Sequence, residues 1–227
     1  RLLVCKTDAI IYISNFEYDQ SLKLGFPSYK SIKITNSINS IINKRNSRII
    51  KYSKNKVNFL FVGRLDKQKG FDKLYKYFSN NKDYVLHVVG DFVNSKNKKY
   101  PDLDNIISYG WIDACDIHNC YIDSDVVIIP SRWEGFGLVA IEAMKYSKPL
   151  IVSNRGALPE IVKNGINGFI FNFDNFNFSL SEKINCLNNL GLNLAGLNSK
   201  RLFDKYYSKN EMVYKIHKLY SDLVDKN

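Results

Sequence analysis

Cysteine, histidine, proline and long apolar runs are all scarce in this 227-residue chain. The four cysteines, Cys5, Cys115, Cys120 and Cys186, form no CxxC pair and have no histidine at ligand spacing. Neither a zinc module nor a disulfide framework is indicated. Four reduced thiols in a cytosolic compartment are the expectation. Asp123-Ser124-Asp125 has the letters of a DxD metal pair, but it stands just before an apolar strand rather than in a suitable loop. No metal site is expected. No apolar run is long enough to span a bilayer, and nothing resembles a signal peptide. A cytoplasmic protein is expected, with peripheral contact at the inner face of the plasma membrane as an extension. The chain begins at Arg1 without Met, consistent with a piece of a longer protein.

Positive charge is in excess. The formal net charge is +11, which favours anionic partners. An anionic membrane surface is one. Nucleic acid is not expected, because the basic residues are spread over many segments and no nucleic-acid module appears. A bland cause competes with both: the chain is rich in Asn, Lys, Ile and Tyr, as an AT-rich genome would make it.

The middle of the chain alternates strand and helix patterns. Strands are expected over 57–62, 84–89, 106–109, 125–129, 149–152 and 168–171, and helices over 70–79, 114–121, 137–146, 158–163 and 180–189. This alternation argues a parallel sheet with helices on both faces, with ligands at the strands' C-terminal ends. Before it, 9–13 reads as a strand and Ser14-Asn15 as a helix start. Residues 33–35 form a second extended piece, and the polar, basic stretch 40–55 suits a linker. Asn172–Asn177 reads as a loop. Residues 200–207 precede a final amphipathic helix over about 211–223, whose Val213, Ile216, Leu219, Tyr220 and Leu223 recur at helical spacing. Ordinary core is the default for that stripe.

The most informative stretch runs from Pro130 to Met144. Asp125–Ile129 is a short apolar run that reads as a buried parallel strand. A Gly-Phe-Gly turn (Gly135-Phe136-Gly137) and a helix follow. The free N–H groups at that helix start favour an anion. Glu134 precedes the turn, and Glu142 lies roughly 7–8 Å along the helix. Ionised carboxylates accept hydrogen bonds only, so their partners are hydroxyls rather than phosphates. A ligand with a diphosphate flanked by two polyhydroxylated rings fits, and a nucleotide sugar has that form. A solvated loop residue and a surface helix charge are the bland alternatives.

This stretch resembles the E-x7-E signature of retaining glycosyltransferases of the GT-B type, family 4. The resemblance extends to Phe61-Val62-Gly63-Arg64-Leu65-Asp66-Lys67-Gln68-Lys69-Gly70, to Tyr109-Gly110-Trp111-Ile112, and to the segments 156–162 and 164–169. It covers about residues 57–171 in order. It implies an α/β Rossmann-like fold, the C-terminal half of a GT-B enzyme. Residues 1–50 would be the tail of an N-terminal, acceptor-side domain with its linker, and 51–227 the donor-binding domain, whose last helix would cross back to brace the N-terminal domain. Arg64 and Lys69 would bind the donor diphosphate, Glu134 would contact the transferred sugar, and Glu142 would hold the ribose. Arg64, Lys69 and Glu134 are the expected catalytic set. Electrostatic stabilisation of the leaving diphosphate by cations and a helix tip needs no metal and no cofactor.

Gly63, Gly135, Phe136, Gly137 and Leu138 complete the expected donor contacts, Phe136 and Leu138 through backbone N–H groups. For Gly135 and Gly137, a turn needing positive φ is the alternative. Trp111 and Ile112 would frame the base, with a core aromatic an equal reading for Trp111. Gly90-Asp91 reads as a tight turn near the site, and His87 as a packed histidine. The implied partners are a UDP- or GDP-linked sugar and a glycan or lipid-linked acceptor, with a hexose transferred and its anomeric configuration retained. A nucleotide-sugar-binding module without catalysis is the second hypothesis. An epimerase or phosphorylase of the same fold is disfavoured.

Overall fold

A computed structural model of the chain describes residues 4–39, 50–92, 100–101 and 103–225. The expected linker therefore lies largely outside the described residues. The elements in order are β1 (Ile10–Tyr12), α1 (Asn15–Lys23), β2 (Ser31–Lys33), β3 (Asn58–Val62), α2 (Phe71–Asn80), β4 (Val85–Val89), β5 (Ile106–Ser108), α3 (Ile117–Asp123), β6 (Val126–Ile129), α4 (Leu138–Lys145), β7 (Leu150–Ser153), α5 (Leu158–Ile161), β8 (Gly168–Phe171), α6 (Phe176–Leu190), α7 (Leu192–Tyr206) and α8 (Lys209–Val224).

Strands β3 to β8 form one parallel sheet in the order β5-β4-β3-β6-β7-β8. Counted from β3, this is the doubly wound order third-second-first-fourth-fifth-sixth, and its direction reverses between β3 and β6. The apolar runs supply both faces. Phe59, Phe61, Val126, Ile128 and Ile151 pack with α2 and α6 through Leu74, Phe78, Leu180 and Ile184. Leu60, Val127, Ile129, Leu150 and Val152 pack on the other face with Tyr121, Ile141, Met144, Leu158 and Phe203. Each large side chain buried this way contributes about 1.5–3 kcal/mol. The expected Rossmann-like parallel sheet with helices on both faces is the observed fold.

The N-terminal piece is separate in the sheet sense. β1 and β2 pair in parallel as a two-stranded ribbon. The second extended piece is 31–33 rather than 33–35, because the ladder pairs Ile10 with Ser31 and Tyr12 with Lys33. Two helices also depart from expectation. α6 begins at Phe176, inside the expected Asn-rich loop, because Phe176 packs edge-on against Phe171 and Phe173. α7 begins at Leu192, well before residue 200, because Ala195, Ser199 and Phe203 are buried. The stripe on α8 is not core: no residue of that helix is buried, and Val213 and Tyr220 are exposed. α8 instead meets the N-terminal piece, with Ile38 bridging Ser208 and Ser37 Oγ 3.4 Å from Met212 Sδ.

Candidate functional site

The site lies where the strand order reverses, at the C-terminal ends of β3 and β6, the usual ligand position in such sheets. From β3 the chain enters Gly63–Gly70. Asp66 organises this loop: its Oδ1 accepts the Lys69 N–H at 2.8 Å, and its Oδ2 lies 3.3 Å from Arg64 Nε. Arg64 Nη2 donates to Gln68 Oε1 at 2.7 Å. The guanidinium is thus held by its own loop while remaining half-exposed.

From β6 the chain enters Pro130–Gly137. Ser131 is buried, and its carbonyl accepts from Ser153 Oγ at 2.6 Å. Its own Oγ donates to Glu134 Oε2 at 3.1 Å. Lys69 Nζ donates to the same oxygen at 2.8 Å. The Glu134 carbonyl accepts the Ala157 N–H at 2.9 Å. The two loops are therefore joined at Lys69 and Glu134, the pair expected on the diphosphate and the sugar. Both side chains are largely shielded from solvent, which strengthens their attraction relative to a surface pair.

Arg132 makes a second join. Its N–H donates to the Gln68 carbonyl at 2.8 Å, and its guanidinium grips both Asp72 oxygens at 2.6 and 2.8 Å and the Lys67 carbonyl. It also lies over the Phe173 ring, 5.1 Å from the centroid. Burial alone would raise the Asp72 carboxyl, but Arg132 outweighs it and holds the group below its usual range.

Gly137, at φ +107°, is the residue before α4, so the positive-φ reading holds for it. Gly135 has no positive φ. Its carbonyl accepts from Ser14 Oγ at 2.9 Å, so the start of α1 abuts the signature turn. Phe136 is buried and Leu138 exposed. The first amides of α4 have no acceptor within the helix. Glu142, on the same helix, accepts from Tyr121 Oη at 2.6 Å. Burial raises its pKa, while the Tyr121 hydrogen bond and the Lys145 charge oppose that rise.

At the β5 end, Trp111 is 77% exposed, so it is not a core aromatic. Ile112 is partly buried against the core. His87 is fully buried, as expected of a packed histidine. Its Nε2 lies 3.0 Å from Asn58 Oδ1 and its Nδ1 3.0 Å from Tyr109 Oη. Among the described residues, no group of three or more His, Cys, Asp or Glu could hold a metal ion, and no helix is long and apolar enough to cross a membrane.

Several residues of this site escaped sequence reasoning. Arg132, Asp72 and Tyr121 act through contacts that no spacing rule links, whereas the Ser131–Glu134 contact spans three residues and was open to a Ser-x-x-Glu reading,. Glu160, on α5, is the least expected. It accepts the Asn15 and Phe16 N–H groups at 2.9 and 2.8 Å, capping α1 from 145 and 144 residues away.

A doubly wound sheet with two loops joined by a Lys–Glu pair at its switch point, the second loop leading into a helix that carries a further Glu, is a Rossmann-like α/β domain of the kind found in GT-B proteins. The family model for glycosyl transferases group 1 matches residues 42–191. The chain belongs to that family. It is 36% identical over 184 residues to an uncharacterised 41.2 kDa protein in the cps region of Klebsiella pneumoniae, covering 78% of this chain and 51% of that protein. It is 30% identical over 189 residues to the UDP-Gal:alpha-D-GlcNAc-diphosphoundecaprenol alpha-1,3-galactosyltransferase of Escherichia coli, covering 78% of this chain and 48% of that enzyme. A glycosyltransferase from Rickettsia africae ESF-5 has the same fold, with a TM-score of 0.84 at 23% identity over 97% of this chain and 64% of that one. The chain spans about half the length of these two curated relatives.

Proposed function

We propose that the chain is the donor-binding half of a retaining glycosyltransferase. Its substrate is a hexose-type sugar on a UDP or GDP carrier, and its acceptor a glycan or a lipid-linked glycan. The observation that carries this reading is the meeting of Lys69 and Glu134 at the sheet's switch point, beside the start of α4. Arg64 and Lys69 take the diphosphate, and the first amides of α4 add partial positive charge. Negative charge grows on the diphosphate as the glycosidic bond breaks, and fixed cations stabilise it with little reorganisation. Glu134 accepts from hydroxyls of the transferred sugar, and Glu142 from the ribose. The reading includes no metal and no cofactor beyond the donor itself.

The E. coli relative's name supports a nucleotide-sugar donor and a lipid-diphosphate acceptor. The net charge of +11 supports peripheral contact with an anionic membrane from the cytoplasmic side,. Nucleic acid is not among the proposed partners.

Calorimetric titration with UDP, GDP and ADP, with and without EDTA, tests the reading. One nucleotide should bind with micromolar-to-millimolar affinity, unaffected by EDTA and weakened by Glu142→Ala and Arg64→Ala. Equal, unspecific binding of all three, or binding insensitive to both substitutions, would overturn it.

A further inference from the structure

We propose that Tyr121 is a positioning residue for the nucleotide: its hydroxyl holds one oxygen of the Glu142 carboxylate so that the other faces the ribose. This rests on the reading of Glu142 as the ribose acceptor and adds a residue to it.

The geometry is specific. Tyr121 is on α3, 1% exposed, and its hydroxyl reaches across to α4 to meet Glu142 Oε2 at 2.6 Å. Its ring lies parallel to that of Tyr146, with centroids 5.8 Å apart and planes 5° from parallel. Tyr146 is one turn beyond Glu142, so the two rings stack along the α4 flank and the hydroxyl ends at the carboxylate. A buried phenol with its ring fixed has little freedom to follow a moving partner. Glu142 therefore moves to suit Tyr121, not the reverse.

The chemistry favours orientation over simple packing. A carboxylate is an acceptor with two oxygens, and a glutamate side chain on a helix has three rotatable bonds to arrest before a ligand hydroxyl can use it. A hydrogen bond from a phenol to an ionised carboxylate is among the stronger kinds. It fixes Oε2 and leaves Oε1 for a ligand. It also favours the ionised form in a half-buried place where burial works the other way,. A protonated Glu142 would present a hydroxyl to a hydroxyl and lose its preference as an acceptor.

The test compares a nucleoside diphosphate, UDP or GDP, with its 2′-deoxy and 3′-deoxy forms on the same chain. The native protein should prefer the ribose form by ~10-fold or more over the deoxy form that lacks the Glu142 partner. Tyr121→Phe should reduce that ratio to ~2-fold while affinity for the deoxy form stays nearly unchanged, and the lost buried hydrogen bond should lower the melting temperature without abolishing the fold. Adding Tyr121→Phe to Glu142→Gln should cost no further selectivity. Loss of stability alone, with the ratio intact in the folded fraction, overturns the proposal. Glu142→Asp covers the case in which Tyr121→Phe folds poorly. It keeps the charge but withdraws it from the phenol, so retained ribose selectivity there also overturns the proposal. If the native protein shows no ribose preference and Glu142→Gln changes nothing, the reading of Glu142 itself has failed. If Glu142→Gln abolishes the preference and Tyr121→Phe does not, only the role of Tyr121 has failed.

Discussion

Lys69 Nζ lies 2.8 Å from Glu134 Oε2, so the cation expected on the diphosphate and the carboxylate expected on the sugar are each other's partners. A donor that uses both must replace this bond with two others. Glu134→Gln removes the competing charge and should tighten binding of a sugar-free nucleoside diphosphate ~2–5-fold. Lys69→Met should weaken it ~10-fold or more. Calorimetry on both variants decides the matter. Changes of the same sign would mean that the pair is structural and that Lys69 does not meet the phosphates.

Glu160 fixes the N-terminal piece to the six-stranded domain by accepting two α1 amides, with Lys33 Nζ 3.7 Å from its Oε2. Glu160→Ala removes the acceptor of the Asn15 and Phe16 amides, leaving the Ser14 Oγ cap on the Glu17 N–H in place, and should cost about 1–2 kcal/mol locally. Hydrogen exchange should rise over residues 10–33 and stay unchanged in β3, β4 and β6. Uniform acceleration across the sheet would contradict this local role.

Gly156 has φ +59°, and a Cβ built there would stand 2.0 Å from the Glu134 carbonyl oxygen. Only backbone movement relieves such a clash. Gly156→Ala should therefore displace Glu134, destabilise the domain by roughly 2 kcal/mol or more, and reduce donor affinity together with Glu134→Ala. Denaturant midpoints and nucleotide titration measure the two effects. An alanine variant of native stability and affinity would show that the loop shifts at no cost.

His87 supplies a pH dependence. Burial lowers its pKa from 6.5 to about 4, with Asp125 opposing. The tautomer follows from the network: the Asn58 oxygen can only accept, so His87 Nε2 donates and Nδ1 accepts from Tyr109,. The unfolded chain binds a proton near pH 6.5 that the folded chain refuses until about 4. Stability should therefore fall as pH drops through that window, by on the order of 3 kcal/mol in full, and this contribution should level off below it. Urea midpoints at pH 7 and 4.5 for the native chain and His87→Gln measure it. Equal losses in both proteins would assign the pH dependence to other groups.

Much of this molecule was legible before its structure. The six main strands follow from short β-branched and aromatic runs, because a strand buried on both faces is mostly apolar; the buried exceptions, such as His87 and Asn58, are held by hydrogen bonds. The Glu134-to-Glu142 stretch was legible because a strand, a glycine turn and a helix are local, and local geometry fixes which backbone amides stay free.

What failed in the reading failed for tertiary reasons. The start of α7, Leu-Asn-Leu-Ala-Gly-Leu-Asn, mixes strong helix formers with two Asn and a Gly that weaken the local signal, and packing of Ala195 and Ser199 settles it as helix,. The default core reading of the α8 stripe failed, while the alternative implied by the resemblance, a helix against the N-terminal piece, agrees with the contacts of Ser208 and Met212; periodicity states only that a face is apolar, not what covers it.

The sequence by itself determined the alternation of elements, the family, and which residues carry charge at the sheet edge. Only the tertiary structure decided who meets whom. Lys69 and Glu134 are 65 residues apart, Tyr121 and Glu142 21, and Asn15 and Glu160 145. Such pairs depend on strand order and helix placement, which distance along the chain does not encode. A carboxylate's role depends on that partner: the same side chain pairs with a cation, is oriented by a phenol, or caps a helix according to what the fold sets beside it.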